Sequence, residues 1–316
     1  MRRSSQGPPS ASHLAHQFQR QASRMYLKLS ALVFLALTAS DGLADPSSVV
    51  LNYRLQPDRD LTVESVTDAV TTIRVVEDRG IVEKSAGRLS TRRTSIHAKG
   101  RQRFRYVTGA LQPDKSFSVD MQYLDKAAIL VEPDGQERLL PDKTPLKGVR
   151  VAATVEHDGQ LREGSVVVSG VDPALAEPLR QTMAAVLRQA SSIQPLVLEQ
   201  GQSVPQEMAM QVPLPGAAPL DIRVRVSNRL LAVEAGVARI QQLYSMDFGT
   251  PAGAMKMAAE GTGGGTLLYE VQSRTLLSSE TSMLMKMTLE AADGVLEMEM
   301  NSRQSQSTRR TATAGS

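Results

Sequence analysis

Three Asp-Gly pairs, Asp134-Gly135, Asp158-Gly159 and Asp293-Gly294, each lie between stretches where apolar and polar residues alternate, and this recurrence constrains the fold more than any other feature. Asp-Gly supplies the positive φ angles that tight hairpins require, and a period of two puts one face of a strand in a core and the other in water. The pattern predicts an antiparallel sheet. Strands are expected at residues 49–55, 61–77, 101–108, 116–123, 127–132, 149–156, 165–169, 220–226, 236–248 and 266–282, segments rich in Val, Thr, Ile and Tyr that suit a pleated surface.

One segment departs from that period. Between Asp172 and Ile193 the apolar residues Leu175, Leu179, Met183, Val186, Leu187, Ala190 and Ile193 recur every three or four positions, with Arg180, Gln181, Arg188 and Gln189 opposite them. Asp172-Pro173 offers a capping start, and Pro178 lacks a backbone donor, so the regular helix is expected from Glu177 with the proline in its first turn. A lone amphipathic helix among strands needs a sheet to cover its stripe. The expected fold is mainly β (α+β): a large curved antiparallel sheet or half-barrel packed around one central amphipathic helix, with two pseudo-repeated halves compatible with the near-central position of the helix. The implied organisation is an extension at 1–24, a leader at 25–44, a first β half at 45–171, the helix at 172–193, a second β half at 194–300 and a Ser/Thr/Gln/Arg-rich tail at 301–316 that is expected to fray.

The leader follows from Met25 to Ala44. Arg24 and Lys28 give a basic start, 29–39 form an apolar run too short for a permanent span, and Gly42-Leu43-Ala44 places small residues at a cleavage site. The reading is an exported protein, periplasmic or extracellular, that is not membrane-spanning after leader removal; both Met1 and Met25 are compatible with the start. Of 36 Lys+Arg and 33 Asp+Glu, residues 1–44 hold five and one, which leaves 31 against 32 and a nearly neutral mature chain. With that balance and 3% aromatic residues, nucleic-acid binding has no footprint. The basic run Arg88, Arg92, Arg93, Lys99, Arg101, Arg103 and Arg105 reads as solvated strand faces, with docking of an envelope macromolecule as the alternative. The cysteine count is zero, so stability rests on burial alone and no lipidated cysteine tethers the chain.

The opening strand around Tyr53 followed by Gln56-Pro57-Asp58, the Pro145-Leu146-Lys147-Gly148 entry into a Val-rich strand ending at Asp158-Gly159, the central helix, and Leu196-Val197-Leu198-Glu199-Gln200-Gly201-Gln202-Ser203 together resemble an uncharacterised group of exported bacterial proteins. Val204 stands where that group carries a Trp. The outline is similar to the half-barrels of the bacterial lipoprotein carriers, which implies a curved sheet holding helices over an apolar cavity.

Motifs for chemistry are sparse. His97 and His157 have no second metal-type ligand at a recognised spacing, and neither a Gly-x-Ser-x-Gly elbow nor a Ser-x-x-Lys occurs. Glu297 and Glu299 share one strand face but read as solvated alternation opposite Leu296, Met298 and Met300. Gly261 to Gly265 lacks the Lys-Ser or Lys-Thr of a phosphate loop and reads as a hairpin loop. Neither catalysis nor a cofactor is expected. Methionine is abundant, with Met283, Met285 and Met287 on one strand face and Met298 and Met300 beyond a turn. Core packing, a wall for a flexible hydrophobic ligand and a Cu(I) site all use thioethers. The expected partner is a lipid or other hydrophobic small molecule, held in a cavity lined by Leu179, Met183, Val186 and Leu187 from the helix and Met283, Met285 and Met287 from the sheet.

Overall fold

A computed structural model of the protein describes residues 48–52, 54–78, 93–141, 146–212, 220–249, 256–291 and 294–311. The expected leader and extension lie outside these residues, as do Arg88, Arg92 and Asp293. In chain order the elements are β1 (Ser48–Leu51), β2 (Arg59–Asp78), β3 (Arg93–Thr108), β4 (Ser116–Val131), β5 (Glu137–Leu139), β6 (Arg150–Glu156), β7 (Val167–Ser169), α1 (Pro173–Ser192), β8 (Leu196–Glu199), β9 (Ser203–Val212), β10 (Leu220–Glu234), β11 (Val237–Phe248), β12 (Lys256–Glu270), β13 (Thr275–Ala291) and β14 (Gly294–Arg310).

Among the described residues twelve strands form one open antiparallel sheet, ordered β7-β6-β4-β3-β2-β14-β13-β12-β11-β10-β9 with β5 paired to β4. Two meanders therefore meet where the last strand lies along the first long one, from Leu61 opposite Arg310 to Asp78 opposite Gly294. The turns carry the chemistry that tight reversals demand. Gly135 (φ 84°) reverses β4 into β5, and Ala235 (φ 49°) with Gly236 (φ 78°) closes the two-residue link between β10 and β11.

Alternation holds over unusually long strands. In β2, Leu61, Val63, Ser65, Ala69, Thr71, Ile73 and Val75 are buried, whereas Val66, Val70 and Val76 on the other face are exposed. Single-residue bulges at Val76, Leu124, Leu231 and Leu277 interrupt the ladders. Each bends its strand and adds twist, which curves the sheet. The Leu124 bulge also switches the inward side of β4 from Phe117, Val119, Met121 and Tyr123 to Lys126 and Ala128, so two expected strands are one.

Three expectations are corrected. Residues 301–310 do not fray, because they complete β14; their inward side chains Ser302, Gln306 and Thr308 are buried against strands on both sides, so polarity misreads a paired strand as a tail. Gly261 to Gly265 is no hairpin loop but the middle of β12. A Cβ at Gly263 or Gly265 meets the carbonyl oxygen of Ser282 or Glu280 at 2.3 Å, so the backbone of β13 approaches closer than any side chain allows. The turn expected there sits instead at residues 271–274, inside the segment 266–282, with Arg274 at φ 54°.

Helix α1 begins at Pro173 and runs through Pro178. Asp172 caps it, its carboxylate accepting from the Ala174 N–H at 2.8 Å. Met183, Ala184, Val186 and Leu187 are buried while Leu175 is 41% exposed, so the stripe packs only beyond the first turns. The buried apolar side chains fall into two clusters. The first gathers α1, the β1–β8 ribbon, and the inward faces of β2, β3, β4, β6 and β10–β13; the second gathers the opposite ends of β2, β10, β12, β13 and β14.

Candidate functional site

The structure splits the expected cavity lining in two. Met183, Val186 and Leu187 belong to the first cluster, with Leu179 packed against it, whereas Met285 and Met287 belong to the second, with Met283 packed against that one. Leu61 in the first cluster and Ile73 in the second stand on the same face of β2, twelve residues apart, about 40 Å along the strand. The helix therefore does not roof the methionine face. Sequence periodicity names the face a side chain occupies, not its distance along a long strand.

The methionines form cross-strand rows. Met285 pairs with Met300 and Met287 with Met298, and the row extends from Met298 to Ile73 on β2. Met285, Met287, Met298 and Met300 are all buried, as unbranched side chains filling an irregular core are. Among the described residues no group of three or more His, Asp or Glu side chains could hold a metal ion.

Between the two clusters the inner face carries a belt of small and polar residues. One row reads Gly100, Thr67, Gln304, Thr281, Gly265, Gln242 and Asn228 across seven neighbouring strands. Flanking rows add Gln102, Ser65, Gln306 and Ser279 on one side and Ala98, Ala69, Ser302, Met283, Gly263 and Tyr244 on the other. Part of the belt is internally satisfied: the Tyr244 hydroxyl donates to Gln242 Oε1, and Gln242 Nε2 donates to Asn228 Oδ1 at 2.6 Å. Burial pushes the Tyr244 hydroxyl pKa up, so it stays a donor throughout the neutral range. Other groups lack protein partners among the described residues, namely Asn228 Nδ2, both amide atoms of Gln306, and Thr308 Oγ1.

Where the belt crosses β2, β3 and β4, small side chains leave a cleft of about 80 Å³ lined by Ser65, Thr67, Ala69, Ala98, Gly100 and Ala128, with Gln102, Lys126 and Leu140 also contributing. One water needs roughly 10–15 Å³ of such space, so the cleft holds several times that room. It is far below the roughly 300 Å³ of a drug-sized site, which fits a slender chain rather than a bulky group. The inward residues of β3 and β4 here are half-buried and remain so toward Ile96 and Leu130, unlike the buried face at the other end with Phe104, Tyr106, Phe117 and Val119. Apart from Met283 and the run Gly261 to Gly265, none of the belt residues stood out in the sequence, because Ser, Thr and Gln at alternate positions carry no apolar signal. The legible sign was a polar period of two inside a strand whose inward positions are apolar on both sides of it.

The opposite face is charged and self-paired. Arg105 pairs with Asp60, Arg101 with Glu64 at 2.8 Å, Lys99 with Glu137 at 2.5 Å and Arg74 with Glu297 at 2.5 Å. The Arg105 guanidinium holds the Asp60 carboxyl below the usual range. The basic run of β3 thus lies beside carboxylates on β2 and β5, as solvated strand faces do. His97 donates its Nε2–H to Asp68 Oδ1 at 2.8 Å on the same face, and Glu297, read as solvated in the sequence, is engaged by Arg74. A broad concavity of about 680 Å³ over β2, β14, β13 and β12 is lined by Arg74, Glu297, Glu299, Lys286 and Glu260, charges of both signs.

No family model matches the chain, and no curated protein matches it. No helix among the described residues is long and apolar enough to cross a membrane. Among solved structures the chain is similar to lipovitellin, studied for its lipid–protein interactions, at 9% identity and a TM-score of 0.42, over 83% of this chain and 26% of that one. It is also similar to Acinetobacter baumannii OccAB4 (6% identity, TM-score 0.21, 81% of this chain and 99% of that one) and Pseudomonas aeruginosa OpdL (8%, 0.20, 79% and 99%). The chain spans about a quarter of the lipovitellin chain it matches.

Proposed function

We propose that this chain is an exported, non-enzymatic binding protein that holds a lipid-like hydrophobic ligand on the inner face of its curved sheet. The observation that carries this reading is the apolar cleft at Ser65, Thr67, Ala69, Ala98, Gly100 and Ala128, a stretch of inner face that large side chains do not fill. On β2 its lining runs from Ser65 to Ala69, about 13 Å of strand, and small side chains on the two neighbouring strands widen it sideways. The paired charges of the outer face leave the inner face as the surface where apolar matter escapes water. Export rests on the leader read at residues 25–44.

The test fills the cleft. A Cβ at Gly100 meets nothing nearer than Thr67 Cβ at 3.9 Å, so Gly100→Leu places its first carbon without strain and projects the rest into the space. Paired with Ala98→Leu, it is expected to abolish the fluorescence gain of diphenylhexatriene on mixing with wild-type protein, while far-UV circular dichroism stays unchanged. Undiminished binding by the double variant overturns the assignment of the cleft.

A further inference from the structure

We infer that Gln306 is the polar anchor of the site, so that the ligand is a single-chain amphiphile with an uncharged, hydrogen-bonding head rather than a bare hydrocarbon. This inference rests on the binding reading above and specifies its ligand. Gln306 is 3% exposed, and neither its Oε1 nor its Nε2 has a protein partner among the described residues. It stands directly across from Ser65, which lines the cleft, and from Ser279 on the other side. Gln304, two residues earlier on the same face, already spends its Nε2 on Ser65 Oγ at 3.4 Å, so the two glutamines are not interchangeable.

A buried carboxamide with both ends unmade is costly, and apolar replacements of similar shape are cheap. Within the belt Gln242 and Asn228 satisfy one another in part, whereas Gln306 has both amide atoms unmade, and retaining such a group requires a use. The group presents one acceptor and two donors together, which matches a head that both donates and accepts, such as an alcohol, a primary amide or the glycerol of a monoester. Its immediate inward neighbours Ser65, Ser279, Gln304 and Thr308 are all neutral, and the cation of the cleft, Lys126, stands three strands away in the same row, so a head seated at Gln306 itself meets no counter-charge. The chain of the ligand then runs over Thr67, Gly100 and Ala128, where side chains are small enough to admit it.

The experiment displaces diphenylhexatriene from wild-type protein and from Gln306→Leu with two competitors below micellar concentration: monolaurin, which has a neutral head, and dodecane, which has none. The expected result is a roughly tenfold weaker apparent Kd for monolaurin in the variant, the loss of about one hydrogen bond, with dodecane unchanged. The variant's melting temperature is expected to rise, because an unmade polar group is removed. Gln306→Met, unbranched and of equal length, gives the same contrast should the leucine fail to fold. Parallel weakening of both competitors makes Gln306 a packing residue and overturns the inference. Unchanged monolaurin affinity with a raised melting temperature means that the amide holds only water, and also overturns it. Failure of wild-type protein to take up diphenylhexatriene sinks the binding reading itself, a different outcome from either.

Discussion

Replacing Leu187 by Ala separates packing from helix formation, because both residues favour helix and differ little in that respect. Leu187 is 3% exposed and belongs to the first cluster. Three carbons leave the core, a transfer cost of about 2.4 kcal/mol at about 0.8 kcal/mol each, and the cavity left behind raises the total into the range of about 3–4 kcal/mol. Leu175 lies on the same helix and is 41% exposed, so the same substitution there is expected to cost no more than about 0.5–1 kcal/mol. The chain contains no Trp, so urea unfolding is best followed by far-UV circular dichroism. The expected result is a markedly lower midpoint for Leu187→Ala, with an unchanged slope, and a near-wild-type midpoint for Leu175→Ala. Equal shifts for the two refute the placement of the helix as the cover of the first cluster.

Truncation after Asn301 is expected to give insoluble protein, since it strips β2 of its partner from Leu61 to Ala69 and bares a long edge; truncation after Arg310 is expected to be neutral, and a soluble, equally heat-stable short form contradicts the pairing. Gly263→Ala is expected to destabilise by about 1–3 kcal/mol through the clash with the Ser282 carbonyl, read from the urea midpoint, whereas Gly100→Ala is expected to be tolerated. The Ser116 hydroxyl, then Arg162, hold the Asp114 carboxyl down at about 2 from 3.8. A lowered folded pKa contributes stability that is present above the unfolded value and is lost as pH falls from about 4 to about 2, so Asp114→Asn is expected to flatten that part of the acid limb, and an unchanged profile excludes the linkage.

The sheet and the helix were legible because their signals are local. Asp134-Gly135 reverses the chain as its φ requirement says, and the stripe of Met183, Val186 and Leu187 is buried as its spacing says. Three features were not legible, each for a physical reason. A bulge such as Leu124 adds one residue without any compositional mark and exchanges the faces of everything after it. The last strand buries Ser302, Gln306 and Thr308 against polar neighbours, so the alternation that marks other strands is invisible in it. Gly263 and Gly265 are dictated by the approach of a strand distant in no sequence pattern, and so read as a loop. The candidate site sits among those features, in the polar belt, which is why Ser65, Thr67, Gly100 and Gln306 emerge only once register is known.

Native mass spectrometry of the protein purified from its own host, followed by solvent extraction, shows whether the inner face carries a lipid. The expected mass exceeds that of the polypeptide, and the excess is released on extraction as a single-chain neutral lipid. A bare polypeptide mass, with nothing lipid-like in the extract, contradicts it.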